Sequence, residues 1–214
     1  MKTMVFVDYW NLQLGLQNED AIQAGLVGAA ARAHRFEIDW FGLGPALTQL
    51  AAVHASPDPS NALPLRFQQT RIYTSANPAT DHKFRNWAMN VLGCRPGVHV
   101  SCLDRSPKRN PHCSACHAVM DLCPHCRAAI NATQEKGVDT KVVTDLLCLG
   151  LDGSYDVALL VSQDSDMGPA AAHLVAKGIK VIQVGIRYQG KALSANCWAA
   201  FDLFPHRDAI NRKK

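Results

Sequence analysis

The sequence predicts an α/β domain built around a mainly parallel β-sheet. Short Val- and Leu-rich runs, such as residues 4–7 and 157–161, are typical of strands that are buried on both faces. These strands alternate with helical patterns, which favours right-handed crossovers and parallel pairing. Aspartates directly follow two of the runs, at the sheet edge where open α/β folds place their sites. A chain of 214 residues is long enough for one such domain with a small insert.

Hydrophobic periodicity and helix-stopping glycines predict the individual elements. We expect five strands. The first ends near Asp8, and the other four occupy residues 65–74, 98–103, 157–161 and 179–184. We expect helices over residues 11–26, 42–53, 79–92, 138–151 and 166–177, and a terminal helix over 193–204. No internal repeat is visible. We therefore expect one domain over residues 1–205, interrupted by an insert over 104–134 and followed by a polar, frayed tail over 206–214.

Four aspartates form the candidate site. Asp8 follows the first strand, Asp164 and Asp166 follow the strand that ends at residue 161, and Asp139 falls in the first turn of the helix over 138–151. Converging carboxylates repel one another unless a cation binds them, and burying them without one is costly. Oxygen ligands of this kind suit Mg²⁺ or Mn²⁺. A plain first-turn acid is the alternative for Asp139, because helix N-termini favour negative charge.

Three further polar residues near the aspartates have ambiguous roles. Asn11 lies three residues after Asp8, where its amide would orient Asp8, hold a water or cap the first helix. Ser162 would bind a substrate phosphate or simply end its strand. Asp145 lies about 240° round the helix from Asp139, so we expect a salt bridge on the flank rather than metal ligation.

Positive charge is concentrated in one part of the chain. The whole chain carries a net charge of +4, whereas residues 64–112 alone carry +6, including Arg105, Lys108 and Arg109. A basic flank beside an acidic pocket suits a polyanion such as RNA, and the alternative is an ordinary solvated surface. DNA is not excluded by this pattern, and the sequence leaves open whether the chain forms a homo-oligomer.

Cysteine spacing predicts a zinc site in the insert. Cys113 and Cys116 form one C-x-x-C pair, and Cys123 and Cys126 form a second pair six residues later. Four thiolates of this kind close a tetrahedral structural Zn²⁺ site. His112, His117 or His125 would substitute for one cysteine, and two reducible disulfides or idle thiols are the alternative.

The sequence carries no sign of export or of membrane insertion. Asp8 interrupts the first apolar stretch too early for a signal peptide, and no run of about 18 apolar residues occurs. We therefore expect no membrane partner and a cytoplasmic location. A reducing compartment favours metal-bound or free thiols over disulfides.

Three segments resemble a known family. VFVDYWNL, KGVDTKVVTDLL and YDVALLVSQDSDMGPAAAHLVAKGIKVIQVG are similar to the NYN domain, in its LabA-like branch of the PIN-like nuclease superfamily. The resemblance covers most of the chain and is most specific over residues 136–185. It implies a three-layer α/β/α sandwich and a metal-dependent ribonuclease site, with Asp8, Asp139, Asp164 and Asp166 as metal ligands and Asn11 as the motif asparagine.

The resemblance implies metal-assisted hydrolysis of RNA phosphodiester bonds by these four aspartates. The alternative is a non-catalytic RNA- or protein-binding module on the same scaffold, because fold membership does not settle catalysis. A phosphatase with paired aspartates after its first strand is disfavoured, since Tyr9 and Trp10 follow Asp8. The family commonly has small residues at these two positions. Here the aromatic pair would stack on a base, narrow the pocket or pack in the core.

Overall fold

Parallel strands form the centre of the structure, a computed structural model that describes residues 1–58, 60–113, 115–130, 133–187 and 189–212. Six strands of the described residues pair into one sheet: β1 (Lys2–Asp8), β2 (Arg66–Ala76), β3 (Val98–Asp104), β6 (Val157–Val161), β7 (Lys180–Gly185) and β8 (Ala199–Asp202). Two shorter strands, β4 (Ser106–Pro107) and β5 (Thr133–Gln134), pair antiparallel apart from this sheet. The predicted α/β class and its mainly parallel sheet are confirmed.

Helices connect the strands. They are α1 (Tyr9–Gln23), α2 (Gly28–Ala33), α3 (Leu43–His54), α4 (His82–Asn86), α5 (Val138–Leu151), α6 (Gly168–Ala176) and α7 (Lys191–Ser194). A π-helical segment, Trp87–Leu92, continues α4, and 3₁₀ turns occupy Ser165–Met167 and Phe204–Ile210. The predicted helix over 138–151 and the predicted strand over 157–161 are confirmed at both ends.

The strand order is β3-β2-β1-β6-β7-β8, so the direction of strand progression reverses between β1 and β6. One core on the first face joins α1 and α3 to the sheet through residues such as Leu12 and Leu47. A second core on the other face joins α5 and α6 to the sheet through residues such as Leu146 and Leu174. Two cores, one on each side of the sheet, give the three-layer α/β/α sandwich that the family resemblance implies.

The C-terminal region differs from our expectation. The terminal helix predicted over 193–204 is wrong, because β8 occupies Ala199–Asp202 and extends the sheet beside β7. Four residues are too short a run for periodicity to separate a strand from a helix. The predicted polar tail makes contacts with the domain up to Asn211, since Ile210 is only 1% exposed and Asn211 forms a β-bridge with Ile38.

The insert contains two similar hairpins, which corrects the expectation that the chain has no internal repeat. In the first, Cys113 N donates to Ala118 O, and His117 N donates back to Cys113 O. In the second, the same pair of bonds joins Cys123 to Ala128 and to Arg127. The two hairpins begin ten residues apart, and apart from their cysteines and one alanine their sequences differ.

No helix in the described parts of the chain combines the length and the apolar character that a membrane crossing needs.

Candidate active site at the carboxyl edge of the sheet

The carboxyl ends of β1 and β6 lie side by side at the point where the strand order reverses. Val7 pairs with Val161 in the parallel ladder, so Asp8 and the loop after Val161 leave the sheet together. The chain then turns into α1 on one face and toward α6 on the other. Divergent connections of this kind open a crevice at the carboxyl edge, which is where open α/β folds bind ligands.

Asn11 ties the two loops of this crevice to each other. Its backbone N–H donates to Asp8 Oδ1 at 3.1 Å, and its side-chain Oδ1 accepts from Gln163 N at 3.1 Å. Asp8, and not Asn11, is therefore the N-cap of α1. The Asn11 amide instead orients the loop that carries Asp164.

Asp8 is an acid in an environment that disfavours its charge. Asp8 is only 6% exposed. Burial first, and then the neighbouring carboxylates Glu135, Asp139 and Asp164, raise its pKa to about 7 against the opposing hydrogen bond from the Asn11 N–H. A buried acid with several negative neighbours is the electrostatic signature of a site that lacks its counter-charge.

Asp139 shares this field from the opposite face. It lies in the first turn of α5, as predicted, and its side chain is exposed. Burial of part of the carboxyl raises its pKa, and Asp164, Glu135 and Asp166 raise it as well. The same neighbours thus act on Asp8 and on Asp139, so the structure brings these acids into one negative region.

The loop after β6 is held by its own side chains. Ser162 is fully buried, and its Oγ accepts from Asp164 N at 3.1 Å. Asp164 Oδ1 in turn accepts from Asp166 N at 2.9 Å and begins the 3₁₀ turn. Ser162 has no exposed surface with which to bind a substrate phosphate. Its hydroxyl instead holds the Asp164 loop in shape. Asp166 lies at the exposed rim.

Glu135 is a fifth acid at this edge, and sequence analysis missed it. Its carboxylate accepts a hydrogen bond from Ser75 Oγ at the end of β2, and its Oε2 lies 3.8 Å from Arg105 Nη2. Arg105 Nε also donates to Ser75 Oγ, at 3.0 Å. The available signal was an acid four residues before Asp139, directly after the predicted insert over 104–134.

The stem formed by β4 and β5 explains how Glu135 reaches the site. Ser106 pairs with Gln134, and the residues on either side of that pair are Arg105 and Glu135. The insert therefore leaves and returns at one place, beside Ser75. Pairing between strands that are separated by a long insert is a tertiary property, which local periodicity does not carry.

The donor set fits a hard divalent cation in chemistry but not as a closed protein cage. All the converging groups are carboxylate oxygens, which Mg²⁺ and Mn²⁺ prefer. Within the described ranges, however, no three His, Cys, Asp or Glu side chains lie close enough to one another to surround an ion. Mg²⁺ commonly binds through one or two carboxylates and keeps several waters, so such a site does not require a full set of protein ligands.

The aromatic pair after Asp8 divides between the core and the site. Tyr9 is 8% exposed and stacks on Trp40 with ring centroids 4.4 Å apart. Trp10 is half-buried, and its indole N–H donates to Ser75 O at 3.1 Å. The Arg105 guanidinium lies 5.8 Å from the centre of the Trp10 ring. Trp10 therefore forms one wall of the acidic crevice, whereas Tyr9 packs inside the protein.

The basic segment does not form one continuous surface. Arg71 is committed to Asp145 at 2.9 Å, and Arg85 is paired with Asp104. Lys108 and Arg109 are exposed on the insert next to its stem, and Arg105 alone reaches the acids. The structural role predicted for Asp145 matches its surroundings, since Lys141 Nζ and Tyr73 Oη also contact its carboxylate.

Each cysteine pair in the insert is brought together by its own hairpin. Backbone N–H groups of Cys116 and Ala115, followed by the Cys116 thiol, lower the pKa of Cys113. The Cys126 and His125 N–H groups, followed by the Cys126 thiol, do the same for Cys123. All four thiols are free, and within the described residues no third Cys or His completes a metal site at either pair.

A parallel sheet with carboxylates where its strand order reverses defines a Rossmann-like α/β protein with an oxygen-donor site. The NYN domain family model matches residues 2–204. The chain therefore belongs to the NYN domain family, within the PIN-like nuclease superfamily.

Comparison with solved structures agrees with this fold. A crystal structure of a protein of unknown function from Vibrio parahaemolyticus is similar, with a TM-score of 0.53 and 13% sequence identity. The alignment covers 99% of this chain and 96% of that chain. At this level of identity the likeness shows the fold alone. No curated protein matches the chain.

Proposed function

We propose that this protein is a metal-dependent ribonuclease that hydrolyses RNA phosphodiester bonds at the carboxyl edge of β1 and β6. The observation that carries the proposal is the buried carboxyl of Asp8, whose pKa is raised to about 7 among Glu135, Asp139 and Asp164. An arrangement this unfavourable for the metal-free protein is expected where a cation belongs. Membership in the NYN family supports the nuclease class.

Asp8, Asp139 and Asp164 would hold Mg²⁺ or Mn²⁺ together with waters of the ion, since no three of the described acids surround an ion by themselves, and Asp166 would contact the ion through water. When bound, the cation supplies Lewis acidity to the scissile phosphate and makes a coordinated water more acidic. Asn11 holds Asp8 directly and holds the Asp164 loop through Gln163 N, and buried Ser162 fixes the same loop. This pre-positioning is what catalysis by orientation requires.

The substrate would meet positive charge on the insert side of the crevice. Arg105 lies beside the acids, while Lys108 and Arg109 are exposed just beyond the stem. Phosphate contacts of this kind position a nucleic acid without selecting its sequence. Single-stranded RNA is the proposed substrate, and single-stranded DNA of the same sequence is the comparison that tests the choice of sugar.

Cys113, Cys116, Cys123 and Cys126 would bind one structural Zn²⁺ in the insert. The repeated hairpin supports this proposal, because each copy presents two thiols and turns backbone N–H groups toward the sulfur of its first cysteine. Hydrogen bonds of that kind favour the thiolate, which is the form that ligates zinc. A tetrahedral site requires the two hairpins to approach each other, so binding would order the insert.

Cleavage of a 5′-labelled single-stranded RNA tests the proposed activity. We expect cleavage with Mg²⁺ or Mn²⁺, none with EDTA, and a loss of about a hundredfold or more in Asp164→Asn. Asp152→Asn is the matched control, because Asp152 is exposed at the opposite end of α5. Equal cleavage by the wild type and Asp164→Asn would show that the activity does not come from this site.

A non-cleaving RNA-binding module is the second candidate. It is favoured by the absence of a three-residue metal cluster in the described parts of the chain. Retained RNA binding with no turnover in either metal, in protein whose Mn²⁺ content has been measured, would support this candidate over the nuclease.

A further inference from the structure

A groove with aromatic residues on both sides extends from the acidic crevice along α1. It lies between α1 and the segment that joins α2 to α3, and its volume is about 610 Å³. Trp10 and Leu14 contribute the α1 wall, and Phe36 and Trp40 contribute the opposite side. This volume is within the range of ordinary ligand pockets.

The groove is continuous with the proposed active site through one side chain. Trp10 lines the groove, yet its indole N–H donates to Ser75 O, and Ser75 Oγ contacts Glu135 and Arg105. Trp10 also lies in the first turn of α1, two residues after Asp8. A polymer bound across the acids therefore has a direct path into the groove along the Trp10 ring.

The rim of the groove is positively charged. Arg32, Arg35 and Arg212 line it and are exposed, and Glu37 is the acid among its lining residues. Arg35 Nη1 donates to two backbone carbonyls, at 2.7 and 2.8 Å, so no carboxylate neutralises it there. Across the described residues, the ion pairs of the protein involve none of these three arginines.

Polar side chains complete the lining. Gln13 anchors its amide on Phe36 O at 2.8 Å, and Gln17 lies one turn further along α1. Farther from Trp10, a neighbouring cavity of about 490 Å³ is lined by the acids Asp20 and Asp208. Arg35 and Arg212 line both cavities, and Asp20 is paired with His34 and Arg207. These two arginines therefore lie where the groove and the neighbouring cavity meet.

We propose that this groove binds the nucleotides of single-stranded RNA that flank the scissile phosphate. The arginines would contact phosphates, and an unstacked base would lie against the exposed part of Trp10. Positive charge combined with an aromatic surface is how proteins hold single strands without sequence preference. An acidic peptide would use the charge but not the aromatic wall or the path to the acids. The inference rests on the proposed ribonuclease function.

Binding measured without turnover tests the groove separately from catalysis. The probe is a 5′-labelled twelve-nucleotide RNA, followed by fluorescence anisotropy in EDTA at low salt. We expect the double variant Arg32→Ala/Arg35→Ala to weaken binding about tenfold, and Trp10→Leu to do so by a similar factor. Arg66→Ala/Lys177→Ala is the matched control, since both side chains are exposed near the opposite edge of the sheet. We expect it to change binding less than twofold.

Substrate length supplies a second readout. With Mn²⁺ present, Arg32→Ala/Arg35→Ala should raise KM for the twelve-nucleotide RNA and leave KM for a dinucleotide unchanged. Wild-type cleavage with no change in either binding or KM in the double variant overturns the groove and leaves the ribonuclease standing. Binding that depends on the arginines, in a protein that never cleaves, supports the groove and overturns the ribonuclease.

Competition identifies the class of ligand. A twelve-residue polyglutamate should displace the RNA far less effectively than an unlabelled RNA of equal charge. Equal displacement would assign the groove to an acidic protein segment and overturn the RNA assignment. Cross-linking of 4-thiouridine RNA to the peptide that contains residues 10–17 would support it, and cross-linking confined to the cysteine insert would contradict it.

Discussion

The side-chain oxygen of Asn11 accepts a hydrogen bond from the backbone N–H of Gln163 across the point where the strand order reverses, at 3.1 Å. The two residues are 152 positions apart in the chain. Through this bond the helix that Asp8 caps and the loop that carries Asp164 are positioned relative to each other. The candidate site is thus held together by an amide that is not itself charged.

Replacing Asn11 with Ala should loosen the site more than it destabilises the fold. Loss of the acceptor leaves Gln163 N without its partner, at a cost of about 1–3 kcal/mol in the free energy of unfolding. Affinity for Mn²⁺ should fall by roughly tenfold, as it does when a ligand-orienting residue is lost. Urea unfolding and calorimetric titration measure the two effects. Asn18→Ala, an exposed change on the same helix, should leave both unchanged.

The stability of the metal-free protein should fall as pH rises, because of Asp8. A carboxyl whose pKa is raised from 3.8 to about 7 on folding binds its proton more tightly in the folded chain. This contribution to the free energy of unfolding is therefore complete below pH 3.8. It is lost as pH rises through about 7, and the loss is on the order of 4 kcal/mol at most. In EDTA, the melting temperature should be lower at pH 8 than at pH 5.5.

Asp8→Asn is the test of that assignment. The amide keeps an acceptor for the Asn11 N–H but has no charge to bury. Metal-free Asp8→Asn should therefore melt higher than the wild type at pH 8, and its melting temperature should depend less on pH. Added Mn²⁺ should raise the melting temperature of the wild type only. A variant that melts lower than the wild type at pH 8 would contradict the raised pKa.

Asp145 should show the opposite pH dependence. Hydrogen bonds from Lys141, Arg71 and Tyr73 outweigh burial and lower its pKa. Its stabilising contribution is therefore present above its ordinary pKa of 3.8 and is lost as pH falls below it. Asp145→Ala leaves Arg71, whose side chain is 14% exposed, without its partner, and should cost about 3–5 kcal/mol at pH 7.

An exposed ion pair provides the control for Asp145. Asp104 pairs with Arg85, and their side chains are 60% and 39% exposed. Asp104→Ala should therefore change the free energy of unfolding by less than about 1 kcal/mol. If both changes cost the same in urea unfolding, burial is not the source of the Asp145 contribution. Cleavage by folded Asp145→Ala should match the wild type.

Glu135→Gln tests whether the fifth acid belongs to the site. Removing its charge should lower the pKa of Asp8, since Glu135 is the largest of the carboxylate influences on it. The metal-free protein should then lose less stability between pH 5.5 and pH 8, and Mn²⁺ should bind several-fold more weakly. Glu37→Gln, an exposed acid away from the carboxylates, is the matched control. Identical pH profiles for the two variants would place Glu135 outside the site.

Zinc content should depend on the paired cysteines of the insert. Cys126→Ser should abolish the single bound zinc expected per chain, measured by elemental analysis of protein purified without chelator. Cys94→Ser is the control, because Cys94 is exposed and lies outside the hairpins. Zinc retained by Cys126→Ser, or absent from the wild type, would contradict the proposed four-thiolate site.

Periodicity and composition were sufficient for strands β1, β2, β3, β6 and β7 and for the long helix α5, but not for β8. Val157–Val161 is apolar at every position because both faces of β6 are covered, and a run of this kind is easy to recognise. The same reasoning placed Asp8 and Asp164 at one edge, because parallel strands end on the same side, whereas Asp139 was placed by its position in the first turn of a helix. Local pattern therefore carries the scaffold and the acids that directly follow its strands.

The features that were missed depend on contacts between distant segments. Glu135 joins the acids only because β4 and β5 pair across the insert. The arginines of the groove come from positions 32, 35 and 212, and their proximity follows from the β-bridge between Ile38 and Asn211. The sequence also overstates the free positive charge of the basic segment, because Asp145, the ion-pair partner of Arg71, lies far away in the chain.

The stem at Ser106 and Gln134 separates the geometry of the sheet edge from the structure of the insert. Because the excursion begins and ends on adjacent strands, everything beyond it can lengthen, shrink or change its chemistry while Arg105 and Glu135 stay side by side. A chimera that replaces residues 108–132 with a tight turn would keep the candidate site and remove the insert beyond its stem. The stem therefore allows the insert to be exchanged as one unit without moving the acids at the edge of the sheet.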